Sequence, residues 1–274
     1  YLHCVRKAWH FQPDTSSPGS WIDYIERNFM KQLIENRVEE LLSGQFCLCR
    51  SCLQSKRTVF SVTPDTKKPY LKILAYKNCI AVCSSEELSD GIRALLQGKG
   101  RDEIFEMPFV YGQTIHYVPD YGHCQYTAAC SQYKCDVLFD EDILSLRGLT
   151  GFDNSLVFEE NGSTAARAVC IARDGKQIIG IAGASETPAD SFWEIGIDVV
   201  EKYRGKGLGT YLVSRLTDEL MERDIVPFYS ASVTNIGSQR TAHRSGYIPV
   251  WVDTFGTILD GSSVYDDIVG KISF

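Results

Sequence analysis

A glycine-rich turn with three basic residues is the feature of this chain that most clearly points to chemistry. Glycine occupies every second position from 205 to 209, and three cations lie beside these glycines: Lys202, Arg204 and Lys206. The turn follows a predicted strand and opens a predicted helix, so the first helical amides lack intrahelical partners at the positive end of the helix dipole. Backbone amides in such a turn bind phosphate groups. The segment therefore predicts a site for a diphosphate ligand.

Two common phosphate-binding motifs do not match this turn. A P-loop needs a Gly-Lys pair followed by Ser or Thr, whereas Gly205-Lys206 precedes Gly207. A Rossmann fingerprint needs a third glycine where this chain has Thr210, and the strand–turn–helix element comes late in the chain. The remaining alternative is a glycine-rich connector that binds no ligand.

The ten cysteines are a second candidate for chemistry. Cys47, Cys49 and Cys52 lie close together, and Cys79 and Cys83 follow. Structural zinc sites use four soft ligands, commonly from two CxxC pairs, and only Cys49 and Cys52 have that spacing. We therefore expect no metal and interpret the cysteines as reduced and mostly buried. A Cys-centred module that binds a metal or a partner is the alternative for the N-terminal half.

The composition excludes several classes of protein. The chain of 274 residues is 44% hydrophobic and 23% charged, which is typical of a folded protein with a sizeable core. Neither an apolar run of about 18 residues nor a signal-peptide core is present, so we expect a cytoplasmic protein without a membrane partner. The formal net charge of −7 disfavours nucleic acid and mildly favours cationic small molecules.

The second half has the more regular pattern of elements. We expect a short helix after Asp140, followed by a hairpin whose Asp174-Gly175 dipeptide favours a type I′ turn. The periodicity then predicts a strand at 193–200, a helix at 207–223, a strand at 225–233, a helix at 236–245, and strands at 247–257 and 263–274. This order predicts a central mixed sheet with helices on its faces.

The first half reads as mixed α and β. Ser20 and Gly44 bound a predicted helix, strands are expected at 57–62 and 70–83, and a second helix runs from Glu86 to about Gly98. Glycines and prolines are frequent from 98 to 124. We therefore predict an α/β (α+β) chain with two domains, a smaller α+β domain at 1–125 and a second domain at 126–274.

Residues 126–260 resemble the GNAT superfamily of acetyl-CoA-dependent N-acetyltransferases. The run Arg204-Gly-Lys-Gly207-Leu-Gly209 fits the superfamily signature R/Q-x-x-G-x-G/A. The downstream residues Asn235, Ser238, Ala242 and Gly246-Tyr247 are similar to its second motif. Residues 1–125 match nothing that we can name; they are an extension or a diverged half of the same fold.

The resemblance implies which residues would bind acetyl-CoA. The pyrophosphate would be held by the amides of the signature turn, which comprises Arg204, Gly205, Lys206, Gly207, Leu208, Gly209 and Thr210. Backbone groups of Val199 and Val200 would pair with the pantetheine arm and present an N–H to the thioester carbonyl. Asn235 and Ser238 would contact the same arm.

The base for acyl transfer to an amine is expected on the strand before the turn. Alternation along 193–200 places Glu194, Gly196 and Asp198 on one face. Either carboxylate could accept an amine proton, directly or through water, and Gly196 would leave room for the substrate. Glu194 is the first choice, because the family often places a glutamate on this strand, and Asp198 is the second. The alternative is that both line a solvated face or pair with cations.

The general acid departs from the family pattern. Many members carry a tyrosine seven positions after the conserved asparagine, and this chain has Ala242 there, with His243 beside it. Tyr229 is a substitute if it faces the cleft.

The expected function is acetyl transfer from acetyl-CoA to a primary amine on a small molecule or peptide. The alternative within the same fold is a catalytically weak or inactive acyl-CoA-binding sensor or scaffold.

Overall fold

The chain forms two compact units. The computed structural model describes residues 21–64, 69–110, 112–120 and 133–258. Among these residues, one unit contains those at 21–38, 118–229 and 241–248, and the other contains those at 39–117, 230–240 and 249–258. This division differs from the single predicted boundary at 125/126. The reason is that Trp251–Asp253 pair with Leu74–Tyr76 inside the second unit.

In the described residues the helices are α1 (Trp21–Gln45), α2 (Glu86–Leu96), α3 (Arg101–Phe105), α4 (Leu208–Met221) and α5 (Ile236–Arg244). The strands are β1 (Thr58–Val62), β2 (Tyr70–Tyr76), β3 (Cys79–Ser84), β4 (Thr114–Pro119), β5 (Lys134–Phe139), β6 (Ala166–Asp174), β7 (Gln177–Glu186), β8 (Phe192–Val199), β9 (Val226–Ser232), β10 (Tyr247–Asp253) and β11 (Thr257–Ile258). Short 3-10 turns cover Arg50–Gln54, Asp140–Leu146 and Glu201–Tyr203. Every one of these helices is too short or too polar to cross a bilayer.

The strands of the first unit follow the order β9-β8-β7-β6-β5. All neighbours are antiparallel except β8 and β9, which run parallel. Helix α4 packs on β6, β7 and β8 through an apolar stripe at i, i+4 spacing. The stripe consists of the predicted leucines Leu208, Leu212, Leu216 and Leu220, which are all buried.

The predicted hairpin is present between β6 and β7, but its turn type differs from the prediction. Asp174 pairs with Gln177, so the two central residues are Gly175 and Lys176. Only Gly175 has a positive φ, at 59°, whereas a type I′ turn needs positive φ at both central positions. A positive φ at the first position alone is typical of type II′.

Three features of the strand pattern escaped the sequence analysis. The predicted strand at 70–83 is a hairpin, because Lys77 turns the chain with a φ of 50° between β2 and β3. Strand β4 lies within the glycine- and proline-rich stretch, and β5 precedes the predicted short helix after Asp140. The predicted strand at 263–274 lies outside the described residues.

The second unit has the strand order β1-β3-β2-β10-β4, and β11 pairs with β2. Strands β1 and β3 are parallel, and β2 is antiparallel to both of its neighbours. Helices α2 and α3 cover one face through a core that includes Ile73, Val82, Leu96 and Ile104. The chain is therefore a mixed α+β protein with a mixed sheet flanked by helices, as the sequence predicts.

Candidate active site

The glycine-rich turn adopts the backbone that its sequence requires. Gly205 and Gly207 have φ values of 73° and 85°, in the left-handed region that favours glycine. Gly207 is the N-cap of α4, and the first helical hydrogen bond runs from the Tyr211 amide to the Gly207 carbonyl at 3.0 Å. A side chain at 205 or 207 would project into open space, with no atom within 4 Å of its Cβ. The turn is therefore an open concavity of backbone.

The backbone amides of this turn are unpaired within the described part of the chain. No acceptor there takes a hydrogen bond from the amides of residues 205–210. Six consecutive N–H groups at a helix N-terminus form an anion-binding concavity. The diphosphate site at this turn stays a prediction.

The positive charge at the turn is not cancelled by the hydrogen bonds that its cations make. Arg204 Nε donates to the Val199 carbonyl at 2.8 Å, and Lys206 Nζ donates to the Lys202 carbonyl at 3.2 Å. Both acceptors are neutral oxygen atoms. Both cationic side chains are on exposed residues, so they remain available to a phosphate.

Tyr203 connects the turn to the end of β6. Its hydroxyl donates to Asp174 Oδ2 at 2.7 Å, and its side chain is buried. The ammonium groups of Lys202 and Lys206 lie 4.8 and 5.8 Å from the centre of the Tyr203 ring. Sequence analysis missed Tyr203, although an aromatic residue next to three cations was a visible signal.

The strand before the turn keeps one of the two predicted residues, Val199, as a candidate and excludes the other, Val200. The Val200 amide donates to the Ile179 carbonyl at 2.9 Å, so it is not available to a pantetheine arm. Because hydrogen-bonding direction alternates along a strand, the amides of Ile197 and Val199 point away from β7. Pairing with β9 ends at Ile195↔Tyr229, so these two amides lie beyond the last paired residues. Ile197 therefore replaces Val200 in the candidate set.

The expectation that Gly196 leaves room for a substrate is wrong. Gly196 pairs with Gly183 across β8 and β7, and a loop at Asn154 and Ser155 lies directly over the pair. A Cβ at Gly196 would meet the Asn154 carbonyl oxygen at 1.7 Å, and a Cβ at Gly183 would meet the Ser155 carbonyl oxygen at 1.7 Å. The two glycines therefore make room for the loop.

Asp198 holds that loop in place. Its carboxylate accepts hydrogen bonds from the Asn154 amide and Asn154 Nδ2 at 2.9 and 2.6 Å, and from the Ser155 amide and Ser155 Oγ at 3.0 and 2.9 Å. Three of these donors share Oδ2, and one reaches Oδ1. Asp198 is thus a positioning residue in this geometry.

We expect Asp198→Asn to release the loop. The Nδ2 group of the new asparagine cannot accept hydrogen bonds from the donors of Asn154 and Ser155. The loss of charged hydrogen bonds costs about 2 kcal/mol. Hydrogen exchange at residues 152–156 should become faster, and the free energy of unfolding should fall by about that amount. An Asp198→Asn variant that lost all turnover with unchanged exchange would instead identify Asp198 as the base.

Glu194 is the other carboxylate of this strand, and it lies on an exposed residue. Within the described residues its carboxylate takes part in no hydrogen bond or ion pair, in contrast to Asp198. An exposed carboxylate at this position is available to an incoming amine. The structure therefore distinguishes the two carboxylates that sequence analysis could only rank.

The residues considered for the general acid differ in burial and surroundings. Tyr229 is only 1% exposed and packs edge-on against Tyr247 with ring centroids 6.3 Å apart, so it does not face an open cleft. Ala242 is fully buried, and His243 is exposed near the end of α5. None of the three is placed as a tyrosine acid would be.

Residues 138–247 match the acetyltransferase (GNAT) family. The match includes β8, the glycine-rich turn, α4 and α5, and it covers less than half of the chain. The resemblance expected from the signature turn is thereby confirmed for residues 138–247, and the rest of the chain lies outside the match. No curated protein matches the chain.

Several solved structures are similar to the chain at low identity. A GNAT-family protein from Novosphingobium aromaticivorans is 16% identical over 52% of this chain and 63% of that chain, with a TM-score of 0.39. A GCN5-related N-acetyltransferase from Kribbella flavida is 17% identical over 57% of this chain and 60% of that one, with a TM-score of 0.38. A Salmonella typhimurium protein solved with its cofactor acetyl-CoA is 22% identical over 35% and 67%, with a TM-score of 0.28. This chain thus spans less than two thirds of the first two.

Asn235 and Ser238 mark the start of α5. Both residues belong to the second unit and follow β9 in the chain. Asn235 Oδ1 accepts a hydrogen bond from the Ser238 amide at 3.0 Å, which is the geometry of an N-cap. Asn235 is exposed, and Ser238 is half-buried. This cap is a local structural reason for an asparagine at the position where α5 begins.

A buried polar cluster in the second unit was not anticipated. His116 Nε2 lies 2.8 Å from Asp253 Oδ1, and its Nδ1 lies 2.8 Å from Ser230 Oγ. Lys72 Nζ forms an ion pair with Asp253 Oδ2 at 3.0 Å. The His116 ring stacks on Trp251 with centroids 4.5 Å apart. Strand β4 itself was missed, so no sequence signal brought His116 into consideration.

Asp253 is ionised because of these neighbours. Burial alone would raise its pKa, but the hydrogen bond and charge of His116, together with Lys72, hold the pKa of Asp253 below its usual range. A carboxyl with a lowered folded-state pKa contributes stability above its unfolded pKa of about 4, and that contribution is lost as pH falls through the folded value.

We expect Asp253→Asn to lower the free energy of unfolding by about 3 kcal/mol at pH 7, because it leaves the half-buried Lys72 without its counter-charge. The difference from the parent protein should shrink as pH falls below about 4. Urea unfolding across this pH range measures both effects. Asp190→Asn is the control, since the Asp190–Arg37 pair is exposed at Asp190 and its loss should cost less than about 1 kcal/mol. Equal losses in the two variants would contradict the role given to Asp253.

The cysteine cluster does not assemble a metal site in the described residues. There, no group of three or more His, Cys, Asp or Glu side chains is arranged to hold a metal ion. Cys79 and Cys83 are buried, whereas Cys47 and Cys49 are exposed and Cys52 is half-buried. Cys49 and Cys52 approach each other as a pair.

Proposed function

We propose that the chain is an N-acetyltransferase that transfers an acetyl group from acetyl-CoA to a primary amine. The observation that carries the proposal is the open turn at residues 205–210, whose six amides have no acceptor among the described residues and lie at the start of α4. The match of residues 138–247 to the GNAT family supports the same reaction class. The net charge of −7 favours a cationic acceptor, either a small molecule or a peptide.

The turn would bind the coenzyme through its diphosphate. The amides of residues 205–210 would donate to the phosphate oxygens, and Arg204 and Lys206 would add charge. The amides of Ile197 and Val199 would donate to the pantetheine arm and the thioester carbonyl. Asn235 and Ser238 remain predicted contacts of the same arm.

Glu194 is our choice for the general base. A primary amine is mostly protonated at neutral pH, so it must lose a proton before its lone pair attacks the thioester carbon. In the proposed reaction Glu194 accepts that proton, directly or through water. The strand amides then stabilise the oxyanion of the tetrahedral intermediate. The nitrogen of the intermediate loses its second proton to water, and the intermediate collapses to an amide and the coenzyme thiolate. The thiolate takes a proton from water in place of a tyrosine.

The test is an acceptor screen read by mass spectrometry. Acetyl-CoA is incubated with the protein and with polyamines, aminoglycosides or lysine-containing peptides, and the acetylated product is quantified. The proposal expects a product that gains one acetyl group on nitrogen and an equal amount of free coenzyme A. Binding of acetyl-CoA without product from any acceptor would support the alternative, a sensor or scaffold.

Thermal unfolding separates the binding claim from the catalytic claim. Acetyl-CoA at about 100 times its dissociation constant should stabilise the protein by about 2.7 kcal/mol, which raises the melting temperature. Desulfo-coenzyme A is the matched ligand, because it keeps the diphosphate and lacks the thioester. An equal shift with both ligands would support recognition through the diphosphate, and no shift with either would remove the basis of the proposal.

A further inference from the structure

The Cys49–Cys52 pair has the geometry of a reactive dithiol. The two Sγ atoms lie 2.7 Å apart, and the Cys52 amide donates to the Cys49 carbonyl at 3.0 Å, which closes the turn between them. A disulfide bond is about 2.05 Å long, so the sulfur atoms need to approach by only about 0.7 Å. The backbone therefore already holds the two thiols at bonding position.

The two thiols are chemically different. Cys49 is exposed, and its sulfur lies within hydrogen-bond distance of the Cys52 sulfur at 2.7 Å and of Ser51 Oγ at 3.1 Å. These bonds lower the pKa of Cys49 to about 7. The same contact with Cys49 raises the pKa of the half-buried Cys52. A nucleophilic thiolate beside a protonated resolving thiol is the arrangement that thiol–disulfide exchange uses.

The neighbouring cysteines do not share these properties. Cys79 is buried, its Sγ donates to the Cys52 carbonyl at 3.5 Å, and burial raises its pKa to about 11. Burial also raises the pKa of Cys83 to about 11, beside Ser61 and Cys47. Both groups stay protonated at neutral pH and are shielded from reagents. Among Cys49, Cys52, Cys79 and Cys83, Cys49 is thus the thiol that combines exposure with a lowered pKa.

We propose that Cys49 and Cys52 form a reversible dithiol–disulfide site that exchanges with a low-molecular-weight disulfide. In the first step the Cys49 thiolate attacks one sulfur of the disulfide, which forms a mixed disulfide and releases one thiolate. In the second step Cys52 loses its proton and attacks Cys49 Sγ, which forms the intramolecular bond and releases the second thiolate. The protein dithiol is oxidised by two electrons, and the small disulfide is reduced to two thiols. This site is independent of the acetyltransferase proposal.

The test uses the 274-residue chain with oxidised glutathione. Reduced protein is incubated at graded ratios of reduced to oxidised glutathione, the remaining thiols are alkylated, and peptides are mapped by mass spectrometry. We expect Cys49 and Cys52 to lose their thiols together as one intramolecular disulfide. The initial alkylation rate of Cys49 in the parent protein should rise with a midpoint near pH 7, where an ordinary thiol has a midpoint of about 8.5.

Single variants distinguish the roles of the two thiols. Cys52→Ser should accumulate one glutathione on Cys49, because the resolving thiol is missing. Cys49→Ser should react at least tenfold more slowly at Cys52, and Cys47→Ser is the matched exposed control that should behave like the parent protein. Retention of both thiols in oxidised glutathione, bonding of either cysteine to a different one, or the absence of an adduct in Cys52→Ser would each overturn the proposal.

Discussion

Replacing Glu194 with glutamine should lower kcat by at least about 100-fold at neutral pH, because general-base catalysis typically contributes a factor of 100 to 10,000. The amide cannot accept the proton of the incoming ammonium group. The rate loss should become smaller as pH rises, because more of the acceptor amine is then already deprotonated, with an ordinary lysine-like pKa of about 10.4. Steady-state kinetics with the acceptor found in the screen, measured across pH, checks this prediction.

The control for this variant is Glu222→Gln, an exposed glutamate at the end of α4. It removes the same charge and should leave the rate unchanged. The affinity for acetyl-CoA should also be unchanged in Glu194→Gln, since Glu194 is not assigned to the coenzyme. A parent-like rate and pH profile in Glu194→Gln would mean that another group is the base.

Replacing Gly207 with valine should weaken coenzyme A binding by at least tenfold, which is about 1.4 kcal/mol. The valine side chain would enter the open space in front of the turn amides, where the phosphates are proposed to sit. A β-branched residue at a φ of 85° should also cost about 1–2 kcal/mol of folding free energy. Titration calorimetry measures the affinity, and chemical unfolding measures the stability.

Gly175→Val provides a matched control for the backbone strain. Gly175 has a φ of 59°, and its Cβ position likewise has no neighbour within 4 Å, but it lies in the β6–β7 hairpin turn. Its stability should fall by a similar amount while its affinity for coenzyme A stays at the parent value. Equal affinities in Gly207→Val and Gly175→Val would show that the turn does not hold the ligand.

Local sequence signals were sufficient for the strand–turn–helix at the centre of the candidate site. The glycines at 205 and 207 fit a turn that needs positive φ, and the leucines of α4 recur with helical period. Both are properties of neighbouring residues in the chain. The predicted turn and helix are accordingly confirmed, with boundaries shifted by one or two residues.

The errors concern contacts between distant parts of the chain. Asn154 and Asp198 are 44 residues apart, and His116 and Asp253 are 137 apart, so no local pattern relates them. Val200 was chosen because it ends the strand, but the direction of its amide depends on its register with β7. Gly196 was interpreted as space for a substrate, and only the path of the loop at Asn154 shows what fills that space.

Amide chemical shifts in isotopically labelled protein, followed during a titration with coenzyme A, test the account most directly. The signals of Gly205, Gly207 and Gly209 should move together along one saturating isotherm, because their N–H groups gain phosphate acceptors. Signals of the hairpin glycine Gly175 should stay in place. Saturating coenzyme A that left the three turn glycines unmoved would contradict the assignment of residues 205–210 as the diphosphate site.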